Sequence, residues 1–226
     1  ITILNSVTLN SVSNDGNKPV ITANNQNHTF DAVLYATGRR PNTANIGLEN
    51  TDITTNERGA IVVNDTCESS VPGVYAVGDV NGGPQFTYIS LDDFRIVFGA
   101  LTGNGHYTLK DRKNIPYTTF LTPPLARVGL TEEDAINKGY TVKTKEMLVA
   151  TMPRAHVNDN LKGAFKIVVD AESNLILGAT LYSQGAEELI NMIKVAMDNN
   201  IPYTYFKNQI FTHPTMAENL NDLCNF

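Results

Sequence analysis

Cysteine is scarce in this chain of 226 residues: Cys67 and Cys224 are the only two. They lie far apart, with no Cys-x-x-Cys pair, which excludes a secreted disulfide scaffold and makes a reducing, cytoplasmic setting the expectation. No apolar run approaches the ~20 residues that span a bilayer, and no signal peptide is visible. There is no Lys/Arg block either. The net charge of −6 argues against nucleic acid or an anionic membrane as partner, because phosphate binding needs clustered cations. The densest basic spots, Arg39-Arg40 and Lys110 to Lys113, sit among polar residues. His28, His106 and His156 are scattered, so no metal site is expected. The chain also lacks a Gly-x-Gly-x-x-Gly loop for a dinucleotide pyrophosphate. What remains is a globular composition, 42% hydrophobic and 18% charged, with material for a real core. The chain opens Ile1-Thr2-Ile3-Leu4 without a methionine, which reads as a fragment of a longer protein.

Residues 1 to 37 alternate apolar and polar positions. Ile3, Val7, Leu9 and Val12 precede the turn Asn14-Asp15-Gly16; Val20-Ile21-Thr22 follows, then Asn24 to Asn27, then Ala32-Val33-Leu34-Tyr35. The pattern predicts a β-meander ending in a buried strand. Ala60 to Val63 and Val74 to Val77 predict two further short strands. The second ends in Gly78-Asp79, the form of a buried parallel strand whose C-terminal end faces a ligand crevice. A helix is expected from Thr87 or Ser90 to Leu101, with Leu91, Phe94, Phe98 and Leu101 at helical spacing and Ser90 with Asp93 as a capping pair. Residues 106 to 115 read as a polar connector.

Beyond the connector, Thr131-Glu132-Glu133-Asp134 opens a short helix that stops at Gly139. Strands are expected at Lys145 to Val149, Ala164 to Val169 and Leu175 to Leu181. An amphipathic helix follows from Ala186 to Met197, with Ala186, Leu189, Ile190, Ile193, Ala196 and Met197 on one face. A last helix is expected to start near Thr215. The element order predicts an α/β nucleotide-binding remnant followed by an α+β domain with an antiparallel sheet.

Four segments, in this order, carry a resemblance: Ala36-Thr37-Gly38-Arg39-Arg40-Pro41-Asn42, Gly73-Val74-Tyr75-Ala76-Val77-Gly78-Asp79, Pro123-Pro124-Leu125-Ala126-Arg127-Val128-Gly129-Leu130-Thr131-Glu132, and His213-Pro214-Thr215-Met216-Ala217-Glu218. Together they resemble the C-terminal half of the pyridine nucleotide–disulfide oxidoreductases, the family of glutathione reductase, dihydrolipoamide dehydrogenase and mercuric reductase. Gly83-Pro84-Gln85-Phe86-Thr87-Tyr88-Ile89-Ser90-Leu91-Asp92-Asp93-Phe94-Arg95 and Gln209 to Thr215 resemble more closely the reactive-chlorine-resistance flavoproteins, which include hypothiocyanous acid reductases. Other branches usually carry small residues where this chain has Leu91-Asp92-Asp93.

The resemblance implies residues 1–37 as the end of an NAD(P)-binding domain, 38–112 as the second segment of an FAD-binding domain and 113–226 as a dimerisation domain. It puts Gly38 near the nicotinamide nucleotide or the flavin, where a side chain would obstruct; alone, Gly38 reads equally as a turn glycine. It gives Asp79 the flavin's ribityl hydroxyls, whereas an isolated Gly-Asp is more often a turn cap. It gives the backbone of Gln85, Phe86, Thr87 and Tyr88 the pyrimidine side of the flavin, which suits a positive helix N-terminus. It makes His213 an acid/base that reaches the thiol pair of a second subunit, with Glu218 holding the imidazole. Thr215 and Glu218 also form an ordinary capping box, and both readings of Glu218 stand. The cis form of His213-Pro214 is expected. Phe211 and Thr212 read as packing, as do Cys67 and Cys224, neither of which has the close partner a catalytic dithiol needs.

The implied activity is transfer of electrons from NAD(P)H through FAD and a cysteine pair to a small oxidant, such as hypothiocyanous acid, or to a disulfide, in a homodimer formed through residues 113–226. The family's Cys-x4-Cys pair is not in this chain, nor are its dinucleotide loops, so the chain alone is expected neither to hold FAD tightly nor to turn over NAD(P)H. Two readings from other classes stay open: a dimerisation and binding module inactive in isolation, and a redox or metal sensor on the same fold.

Overall fold

Two adjacent asparagines turn the second hairpin. In the computed structural model, which describes residues 1–226, Asn24 and Asn25 take φ of 49° and 62° between the paired residues Ala23 and Gln26. Positive φ at both central positions matches the right-handed twist of the flanking strands, and asparagine tolerates it. Strands β1 (Leu9–Asp15), β2 (Lys18–Ala23) and β3 (Gln26–Thr29) thus form an antiparallel meander, part of a first compact unit, Ile1–Val97.

Three expected strands of this unit are not formed as strands. Ala32 to Tyr35 has no ladder, and Leu34 is 90% exposed. Ala60 to Val63 and Val74 to Val77 are reduced to single bridges, Thr55 with Ile61 and Glu68 with Tyr75. A buried parallel strand is completed by neighbours along both edges, and within this unit no segment forms a continuous ladder with any of the three. Helix α1 (Thr87–Thr102) forms as expected and continues past Val97 into the second unit, Phe98–Phe226. It buries Ile89, Asp93 and Ile96, while Leu91, Phe94, Phe98 and Leu101 are exposed. The apolar spacing correctly located the helix but not the face that this chain covers.

The second unit is built on five antiparallel strands in the order β4-β5-β8-β7-β6. These are β4 (Tyr117–Thr119), β5 (Leu125–Gly129), β6 (Val142–Leu148), β7 (Ala164–Asp170) and β8 (Ile176–Tyr182). The helices are α2 (Glu132–Asn137), α3 (Pro153–Val157), α4 (Ala186–Asp198), α5 (Tyr203–Asn208) and α6 (Asn219–Leu223). Thr131 caps α2 through a reciprocal pair of hydrogen bonds with Asp134. Amphipathic α4 packs on β5 and β8, and α6 packs on β6 and β7. Phe165, Ile167, Leu181, Ile190, Ile193, Leu220 and Leu223 meet in one core, whose burial supplies the main driving force for this unit. Gly163 fits tightly: a Cβ there would lie 1.7 Å from the Tyr182 carbonyl oxygen, and its φ is 120°. No helix is long and apolar enough to cross a membrane.

Candidate functional site

The second unit presents an imidazole–carboxylate pair on a tightly bonded loop. The His213-Pro214 bond is cis, and Nδ1 of His213 lies 2.7 Å from Oε2 of Glu218. An ionised carboxylate only accepts, so Nδ1 carries the hydrogen and donates, leaving Nε2 as the open ring nitrogen. The Thr215 N–H donates to Oε1 of Glu218 at 3.1 Å, and the Glu218 N–H donates to the Thr215 hydroxyl at 3.2 Å. These are the capping-box bonds expected of Thr215 and Glu218, but they close a turn: α6 begins at Asn219, four residues after the expected start. The reciprocal bonds satisfy the backbone locally and do not require helical geometry from Thr215 onward.

Several groups anchor this loop. Buried Asn219 donates its amide to the carbonyls of Thr215 and Met216. Asn221 donates to the carbonyls of Phe206 and Gln209. Phe211, Met216 and Ala217 pack against the core. The His213 side chain is 68% exposed and that of Glu218 only 19%. Burial pushes the Glu218 carboxyl up, but the hydrogen bonds from His213 and Thr215 and the charge of His213 outweigh it, holding the group below its ordinary 4.5. The arrangement is a fixed, solvent-facing imidazole with its tautomer set by a seated carboxylate. Asn219 and Asn221 were invisible in the sequence as anchors, because a surface asparagine and a carbonyl-binding one look alike until the fold is known.

The first unit gathers a second group of residues. Gly78 to Asn81 form a single 3-10 turn that carries Asp79. The Asp79 side chain is half exposed, with Nη1 of Arg39 3.8 Å from its Oδ2. Its neighbour Gly78 has φ of 74°, and a Cβ there would lie 2.7 Å from the Ser90 hydroxyl. Gly38 has φ of 106° with nothing of this chain within 4 Å of a would-be Cβ, so here the backbone conformation, rather than a clash, asks for glycine. Thr87 opens α1; Gln85 and Phe86 are half-buried just ahead of it, and Thr87 and Tyr88 are exposed. The Phe86 and Tyr88 rings stack with centroids 5.1 Å apart, and burial raises the Tyr88 phenol above its ordinary range. No acidic side chain stands in the first turn of α1, so its positive end is not neutralised locally.

Asp93 is a correction to the sequence reading. It does not cap α1 with Ser90. It is fully buried, and its Oδ2 accepts the Gly78 N–H at 2.7 Å and the Asn81 amide at 2.9 Å. Cys67 and Cys224 are buried and form no disulfide, as expected of packing residues, and burial pushes the Cys224 thiol up to about 12. No group of three or more His, Cys, Asp or Glu could hold a metal ion.

An exposed carboxylate on a rigid turn, beside an uncompensated helix start, suits the polyol and the electron-rich ring of a flavin, so the residues present fit FAD. The pyridine nucleotide-disulphide oxidoreductase model matches residues 1–93, and the dimerisation-domain model of the same family matches residues 115–224. The chain belongs to this family. It is 45% identical over 212 residues to the probable pyridine nucleotide-disulfide oxidoreductase RclA of Escherichia coli, covering 94% of this chain and 48% of that protein. It is 34% identical over 224 residues to a mercuric reductase of Staphylococcus aureus, covering 97% of this chain and 41% of that protein. The structure of the HOCl-induced flavoprotein disulfide reductase RclA from Escherichia coli superposes with a TM-score of 0.88 at 44% identity, over 96% of this chain and 50% of that one. The chain thus spans about half the length of the relatives it matches.

Proposed function

We propose that this chain is the C-terminal part of an FAD-dependent NAD(P)H:disulfide-type oxidoreductase that works as a homodimer and reduces a small oxidant, hypothiocyanous acid being the leading candidate. The observation that carries the reading is the exposed His213 imidazole, held at Nδ1 by Glu218 at 2.7 Å. FAD, when bound, supplies the two-electron chemistry between NAD(P)H and a cysteine pair outside this chain. In this reading the chain's own residues position and manage protons. Asp79 accepts hydrogen bonds from the ribityl hydroxyls. The backbone of Gln85, Phe86, Thr87 and Tyr88 meets the pyrimidine edge, and Gly38 keeps a nearby backbone free of side-chain bulk. His213 takes and returns a proton at Nε2 beside the partner subunit's thiol pair, while Glu218 keeps Nδ1 protonated.

The match to the dimerisation domain supports pairing of two copies through residues 113–226, and Phe120, Tyr205 and Ile210 offer exposed apolar surface there. The small-oxidant reading draws on the likeness to RclA of Escherichia coli, described as an HOCl-induced flavoprotein disulfide reductase. Full-length protein with bound flavin, assayed with NAD(P)H against hypothiocyanous acid, glutathione disulfide, lipoamide and mercuric ion, tests it. The expected order has hypothiocyanous acid first; a clear kcat/KM preference for a bulky disulfide removes the substrate assignment, and a protein that holds no flavin removes the enzyme reading itself.

A further inference from the structure

Asp93 is the fully buried acid of the first unit, and it faces the turn on which Asp79 stands. One carboxylate oxygen, Oδ2, receives both the Gly78 N–H at 2.7 Å and the Asn81 side-chain amide at 2.9 Å. These two donors flank Asp79 in the 3-10 turn from Gly78 to Asn81. Asn81 extends the brace: its amide also donates to the Ala76 carbonyl at 3.2 Å, and its Oδ1 accepts the Gly83 N–H at 3.0 Å. Gly78 closes against the same face of α1, where its missing Cβ leaves room for Ser90.

We infer that Asp93 is a positioning residue for the flavin site, gripping the turn on both sides of Asp79 so that the Asp79 carboxylate is presented to the cofactor's hydroxyls; the inference rests on the flavoprotein reading above. A short turn with a positive-φ glycine has several accessible conformations, and a half-exposed carboxylate on it would otherwise sample them all. A buried acceptor bonded to donors on either side selects one. Asp93 reaches the cofactor only through Asp79 and makes no claim to the chemistry.

The test is a double-substitution cycle on the FAD dissociation constant of the full-length protein, measured by titrating flavin into flavin-free enzyme. Asp93→Ala is expected to weaken binding by about tenfold or more, while Asp93→Asn, whose amide oxygen can take the same two donors, stays within about threefold of the unaltered protein. Asp79→Asn combined with Asp93→Ala should bind no more weakly than Asp79→Asn alone, because both act through one carboxylate. If Asp93→Ala does not fold, Asn81→Ala, which removes one arm of the brace, is held to the same criteria. Unchanged affinity, or losses that add in the double variant, overturn the inference while leaving the flavoprotein reading intact. An unaltered protein that binds no FAD overturns both.

Discussion

The two carboxylate oxygens of Glu218 are divided between tasks: Oε2 receives Nδ1 of His213 at 2.7 Å, and Oε1 receives the Thr215 N–H at 3.1 Å. One side chain therefore ties the imidazole to the turn that presents it. The same bonds hold the carboxyl below its ordinary 4.5 against the opposing effect of burial. A depressed carboxyl contributes its stabilisation above the unfolded value and loses it as pH falls through the folded value. The His213–Glu218 contact should therefore persist down to a pH below 4.5. Carboxyl NMR titration of the chain should give a Glu218 midpoint under 4.5 that rises in His213→Ala. A midpoint at or above 4.5 in the unaltered chain would contradict this reading.

Cys67 and Cys224 should be silent toward thiol reagents in the folded protein. Both are fully buried, and the Cys224 thiol is pushed up to about 12, leaving almost no thiolate near neutral pH. Alkylation followed by mass measurement is expected to find neither residue modified under native conditions and both modified in denaturant. Rapid native labelling of either one would return it to consideration as a redox group.

Gly163→Ala should be strongly destabilising. The added methyl would sit 1.7 Å from the Tyr182 carbonyl oxygen, at a φ of 120° that side chains rarely adopt. Strain of that kind costs about 2 kcal/mol or more, visible as a lowered melting temperature. An unchanged melting curve would mean that β7 and β8 are not joined in this register at Gly163.

What the sequence disclosed, and what it hid, follows from where each signal resides. The α4 stripe from Ala186 to Ala196 was legible because one helix face carries all of it and buries it in one core. The His213–Glu218 pair was legible through the family resemblance of the segment His213 to Glu218, since a lone histidine before proline reads by itself as a turn residue. The Ala32 to Tyr35 strand was misread because a ladder is a property of two segments, and an apolar run in one says nothing of a neighbour to pair with it. The start of α6 was misplaced because Thr215 and Glu218 exchange the same bonds in a turn as in a helix. Asp93 reads as a cap in the sequence because an acid three residues after a serine has that signature, and its bond to Gly78, fifteen residues away, leaves no local trace.

The central claim, that His213 is the acid/base of substrate reduction, is tested most directly by rapid-mixing kinetics of His213→Ala in the full-length protein, with the two half-reactions measured separately. Flavin reduction by NAD(P)H should remain largely intact, because hydride transfer asks for no proton from this imidazole. The oxidative half-reaction should slow by ~100-fold or more, the scale of a lost general acid/base. Substrate reduction at an unchanged rate in that variant would contradict the account.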